Sequence, residues 1–158
     1  MTPADLAPLL AECYTDRLAL LQRHVESATH VADYDVNNAY QYIVAREETH
    51  VYWLHRALLD VGAAVPPAPA TTAVGAGALS DLAAADARAN AAFVEKWASR
   101  ITGVTHARHR KLLEVVLGEV QEHRRLFEQV AAGRSDVIGT SLPDADHRGA
   151  VLGTRWVE

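Results

Sequence analysis

Glu47 and His50 stand three residues apart inside a long run of helical periodicity. A helix turns about 100° per residue, so the two share one face. The apolar residues around them are Val36, Tyr40, Ile43, Val51, Leu54, Leu58 and Val61, and that stripe is centred on the pair itself. Glu48 falls off the stripe and is expected in water. A carboxylate and an imidazole that face a core need partners. A metal ion accepts both ligand types. The other partner open to Glu47 is Arg17, which lies in the apolar stripe of the first helix and could form a buried ion pair with it.

Further polar residues face inward. Arg17 and His24 fall within Leu6, Leu9, Leu10, Cys13, Leu20, Leu21 and Ala28; Glu12 and Asp16 flank that stripe. Asp86 and Asn90 lie among Leu79, Leu82, Ala83, Phe93, Val94, Trp97 and Ile101. Glu119, His123 and His109 share a face with Leu112, Leu113, Val116, Val120, Phe127 and Val130, and Glu122 does not. Pairing the last two helices across their connection sets Asp86 level with Val120, so Asp86, Glu119 and His123 are expected together. The candidate metal ligands are therefore Glu47, His50, Asp86, Glu119 and His123. His24 and His109 read as structural, and Asp86 with Asn90 could hydrogen-bond across the core without a metal.

These residues need four helices to position them, expected near 3–29, 35–61, 80–101 and 105–132. Thr2, Pro3 and Asp5 suit the start of the first, Asp33 or Asp35 caps the second, and Gly62 suits its end. Ser80-Asp81 opens the third, Gly103 stops it, and Thr105 caps the fourth, which ends at Gly133. Residues 63–78, rich in Pro, Ala, Thr and Gly, have no period. Extended at about 3.3 Å per residue, they reach well over 40 Å, against about 39 Å for a helix of ~26 residues. Such a segment can cross the length of a bundle and start the third helix parallel to the second.

The whole chain has 158 residues, about half of them apolar, with a net charge of -5. That length supports one domain with a sizeable core. The acidic balance argues against a nucleic-acid partner. A single cysteine, Cys13, cannot form an intrachain disulfide. The N-terminus has neither the basic nor the apolar region of a secretory signal, and no apolar run approaches the ~20 residues of a membrane span. The expectation is a cytoplasmic protein with no membrane partner.

Glu47-x-x-His50, followed by Asp86 and then by Glu119 and His123, resembles the ferritin-like family of di-iron and di-manganese carboxylate proteins over roughly residues 3 to 132. Glu47-x-x-His50 matches the helix 2 motif of that family. Asp86 stands where the family has Glu. Helix 4 offers Glu119-x-x-x-His123, one residue longer, or Glu119-x-x-Glu122. Helix 1 presents Cys13 and Arg17 inward where the family has Glu, and Glu12 is turned away. The resemblance implies an all-α, ferritin-like four-helix bundle with a long crossover between helices 2 and 3. It also implies one or two iron or manganese ions, with Glu47 and Glu119 bridging and His50, His123 and Asp86 terminal. Oxidation of ferrous iron, peroxide removal or oxygenation of a small substrate would follow, with a small-molecule oxidant as co-substrate. The alternative is a metal-free helical interaction module with a degenerate ferritin-like site.

Two features stand outside this scheme. Residues 105–111 form a basic run at a helix start, which could bind an anion or simply be solvated. Tyr52 and Trp53 lie off the helix 2 stripe and, if exposed together, would suggest a subunit interface. Residues 1–133 are read as the bundle and residues 134–158 as an extended C-terminal tail. The tail is expected to bury Val151, Leu152 and Trp156 on its own bundle or on a neighbouring subunit. The expected assembly is a homodimer.

Overall fold

The computed structural model describes residues 3–139. The expected docking of Val151, Leu152 and Trp156 lies outside them. The described residues form four helices and no strand: α1 (Pro3–Ala28), α2 (Tyr34–Asp60), α3 (Leu79–Thr102) and α4 (Ala107–Ala131). The architecture is an all-α four-helix bundle, compatible with a ferritin-like arrangement.

Local chemistry sets the ends. Asp33 caps α2, its Oδ1 accepting from the Val36 N–H at 2.9 Å. At the other end Gly62, at φ 69°, lets its N–H reach the Leu59 carbonyl while the Ala63 N–H reaches that of Leu58. That pairing satisfies two terminal carbonyls and needs a left-handed residue. Gly133, at φ 90°, closes α4 with the same pair of bonds, to Val130 and Gln129. The cap of α4 is His106 rather than Thr105: its ring accepts from the His109 N–H. α3 starts one residue early, with Ala78 as a cap that has no side-chain bond.

Cross-helix pairs fix the directions. Glu12 meets Arg100, Asp16 meets Trp97, and Arg23 and Ser27 meet Asp86, so α1 and α3 run antiparallel. Asp60 meets Arg108 and Arg46 meets Glu119, so α2 and α4 are antiparallel as well. α1 packs on α2, and α3 on α4. The non-helical segment from Ala63 to Ala78 places Val65 on one apolar cluster and Val74 on the other. It also passes the turn that follows α1, where His30 Nε2 lies 3.0 Å from the Val74 carbonyl oxygen.

The core has two apolar parts. One gathers Leu10, Cys13, Leu54, Leu58, Trp97, Leu113 and Val116; the other gathers Val36, Tyr40, Ile43, Ala83, Phe127 and Val130. Between them sits a belt of buried polar side chains: Arg17, His24, Glu47, His50, Asp86, Asn90 and His123. Burial pushes the Cys13 thiol up to about 12, so it packs as an inert small hydrophobe. No helix of the described residues is long and apolar enough to cross a membrane.

Candidate functional site

Glu47 and His50 are both fully buried, as the helical wheel requires, and Glu48 is exposed. Their partners come from α1 and α4. Arg17 Nη2 donates to Glu47 Oε1 at 2.9 Å, and its Nε and Nη2 lie 3.3 and 3.2 Å from His50 Nδ1. Guanidinium nitrogens only donate, so His50 Nδ1 must carry a lone pair. The proton of the neutral ring then sits on Nε2, which donates to Glu119 Oε2 at 2.9 Å. His24 Nδ1 faces both Glu47 oxygens at 2.9 Å. On its other side, His24 Nε2 lies 3.1 Å from Asn90 Nδ2. His123 Nδ1 is 3.7 Å from Glu47 Oε1, too far for a hydrogen bond, and finds no partner among the described residues.

The electrostatics follow from this packing. Burial works to raise the Glu47 carboxyl, but His24 and Arg17 outweigh it and hold the group well below the usual carboxylate range. Burial pushes the His50 imidazole down to about 4, Arg17 adds to that push, and Glu119 opposes it. Burial also lowers His123, against the pull of Glu47. The result is a buried Arg17–Glu47 ion pair bordered by imidazoles, not an unpaired charge.

The expected ligands are only partly brought together. Glu47, His50, Glu119 and His123 share one neighbourhood. Asp86 does not join them: Arg23 and Tyr40 donate to it at 2.7 Å and Ser27 at 3.2 Å. Tyr40 in turn packs on Phe127 with ring centroids 5.0 Å apart. Asp86 thus sits near the level of Phe127, about two helical turns along α4 from Glu119. The expected level with Val120 assumed a symmetric hairpin, whereas the connection over 103–106 shifts the register. Glu119 is also held from outside, where Arg46 grips both of its oxygens at 2.9 and 2.6 Å.

Two contributors escaped the sequence reading, and the partner of a third was not named: His24, read as structural, holds Glu47. Arg46 clamps Glu119, although it sits next to Glu47 on the flank of the α2 stripe. Tyr40 was counted as apolar core, yet its hydroxyl satisfies Asp86. A polar residue in every apolar stripe at a similar depth was the available signal for His24. Glu12 is turned outward, as the wheel indicates, and pairs with Arg100 and Lys96.

Whether these residues fit a metal depends on Arg17. Its guanidinium fills the space between Glu47 and His50. A divalent ion about 4 Å from that charge would meet a repulsion of about 8 kcal/mol at an effective dielectric near 20. Both oxygens of Glu47 and both nitrogens of His50 are already engaged. Among the described residues, no group of three or more His, Cys, Asp or Glu side chains is placed to hold a metal ion. With Arg17 in this position, the residues do not fit the expected ion. No family model, curated protein or solved structure matches the chain.

Proposed function

We propose that the chain is a ferritin-like bundle in which the Arg17 guanidinium takes the place of the metal, leaving a metal-free cytoplasmic helical module that associates with a second copy of itself. The single observation that carries this reading is the contact of Arg17 with both Glu47 and His50. The ferritin-like arrangement is supported by α3 running antiparallel to α1 and by a non-helical segment that touches both halves of the core. The association is supported by the outer face of α2. Tyr34, Tyr42, Tyr52 and Leu59 are 78%, 48%, 59% and 48% exposed. They fall within an arc of about 100° on the helix. Trp53 is not part of that face; it packs against the core with Arg46 over its ring. A two-fold dimer along α2 would cover the tyrosines without disturbing the central network.

One observation favours a second reading, in which Arg17 swings out and iron or manganese binds Glu47, His50, Glu119 and His123. His123 Nδ1 is buried and has no hydrogen-bond partner among the described residues, and burial lowers both His50 and His123 toward the neutral form that metals require. Elemental analysis of protein purified without chelator separates the two. Substoichiometric iron and manganese in the wild type, with Tyr52→Glu/Leu59→Glu converting a dimer to a monomer in light scattering, supports the module. Stoichiometric metal that is lost in His50→Ala refutes it.

A further inference from the structure

The two close-packed helix pairs, α1 with α2 and α3 with α4, meet along two looser seams. Each seam opens into a cavity. The one between α1 and α3, of about 370 Å³, is bordered by Ala70 and Thr72 of the crossover as well as by the helices. The one between α2 and α4, of about 480 Å³, is bordered among the described residues by helix residues alone. Trp53, Ala57, Leu112 and Val115 make most of its wall apolar, and Val115 is 36% exposed. Water against such a wall is unfavourable. One seam thus carries a strap of the chain's own backbone, and the other carries none among the described residues.

The place where the described residues end supplies a candidate cover. Past Gly133, Val137 packs on the half of the core that holds Val36, Tyr40 and Phe127. The chain therefore reaches Gly139 at the end of the bundle where α2 begins, and the α2/α4 cavity lies toward the other end, beside Leu112. From Ala131 back to Leu112 is about 28 Å along α4 at 1.5 Å per residue. Residues 140–151, extended at about 3.3 Å per residue, span about 40 Å, so Leu152 can arrive at the cavity. In an extended segment successive side chains alternate, which puts Leu152, Trp156 and Glu158 on one face and Arg155 on the other. That face matches the wall in both polarity and charge. Arg56, Arg108 and Lys111 line the cavity with a single carboxylate, Asp60, which already meets Arg108 at 3.1 Å.

We propose that residues 152–158 dock in the α2/α4 seam of their own chain as a second strap. Leu152 and Trp156 pack on Trp53, Leu112 and Val115, and the Glu158 carboxylate lies beside Arg56 and Lys111. On its way the strap covers the Arg46–Glu119 pair, whose side chains are each 27% exposed. A tethered segment meets its site at an effective concentration on the order of millimolar, which favours its own seam over that of a second copy. The tyrosine face of α2 lies about 90° around the helix from this seam. The strap and the dimer contact therefore use different surfaces, and either can fail without the other.

The test attaches a nitroxide to the full chain at Gly153→Cys and reads the broadening of amide resonances. Cys13 is 1% exposed, so the new thiol alone is labelled. Isotope-enriched, nitroxide-bearing chains diluted in plain chains report contacts within one chain; enriched chains without nitroxide, mixed with plain labelled ones, report contacts between chains. The expected result is broadening of residues 53–57 and 111–115 in the first sample and none there in the second. Trp156→Ala, and separately Val115→Glu at its exposed position, should each weaken that broadening at least about threefold while the remaining helix resonances stay in place. The proposal is overturned if the seam is not broadened, if the broadening centres on the tyrosine face or the α1/α3 seam, if it arises only between chains, or if both variants broaden like the parent.

Discussion

Replacing Arg17 with methionine keeps much of the side-chain volume and removes the only permanent cation among the described residues that touches Glu47. The carboxylate is fully buried, and what remains near it is His24 at 2.9 Å and His123 at 3.7 Å. Breaking one partner out of a buried pair typically costs about 3–5 kcal/mol. That is a large part of the 5–15 kcal/mol that holds a typical domain together. The loss should depend on pH in a definite direction. In the wild type the Glu47 carboxyl is held below its ordinary value, so it contributes stability that is complete above the unfolded pKa and lost as pH falls through the folded one. Without Arg17 the burial of that carboxyl is opposed by His24 and no longer by the guanidinium, so the group is held down less, and the deficit of the variant is largest near neutral pH and shrinks in acid. Adding Glu47→Gln removes the stranded charge and keeps an acceptor for His24, so the double variant should recover more than half of the loss. Urea unfolding followed by circular dichroism reads all three proteins. A single variant that loses under about 1 kcal/mol, or a double variant whose loss equals the sum of the two singles, would refute a coupled buried pair.

Two further outcomes are expected. His50 titrates near 4 in the folded chain against an ordinary 6.5, so the unfolded state binds more protons between these values and stability falls as pH drops from 6.5 to 4. The shift corresponds to about 3 kcal/mol, and a difference in urea midpoint between wild type and His50→Gln that stays constant across that window would contradict it. Tyr40→Phe deletes the donor that faces Asp86 Oδ2 at 2.7 Å in the buried second half of the core. It should cost about 1–3 kcal/mol in thermal or urea unfolding, and an unchanged midpoint would show that Arg23 and Ser27 alone satisfy Asp86.

Four helices and the inward position of Glu47, His50, Asp86 and His123 were legible because they depend on local rules: a 3.6-residue period, an aspartate cap at Asp33, a left-handed glycine at Gly62. The company each residue keeps was less so. Arg17 was recognised as a candidate partner for Glu47, since both stripes were visible. Asp86 was placed two turns away from its true level because the register of α3 on α4 depends on packing around residues 103–106, which no periodicity encodes. Arg46 was passed over for a related reason. A long side chain on the flank of a stripe reaches inward or outward according to what the neighbouring helix offers, and that becomes visible only when the helices are assembled.

The polar belt between the two halves of the core works like the key in a keyed shaft. Alanine-rich helices with smooth apolar stripes can slide by one turn at little cost, because one small residue replaces another. Here a slide of α1 against α2 would set Arg17 and His24 against Leu54 or Ile43 and leave Glu47 without a cation. One alignment is thereby selected over its neighbours, at the expense of the stability that an all-apolar layer would provide. The Arg17→Met/Glu47→Gln chain should accordingly show a loss of alignment in its spectra in addition to the part of its stability that it does not recover. If the belt sets the alignment, its amide resonances near residues 17, 24 and 47 will broaden or double as several registers are sampled; a single sharp set would show that the apolar stripes suffice to align the helices.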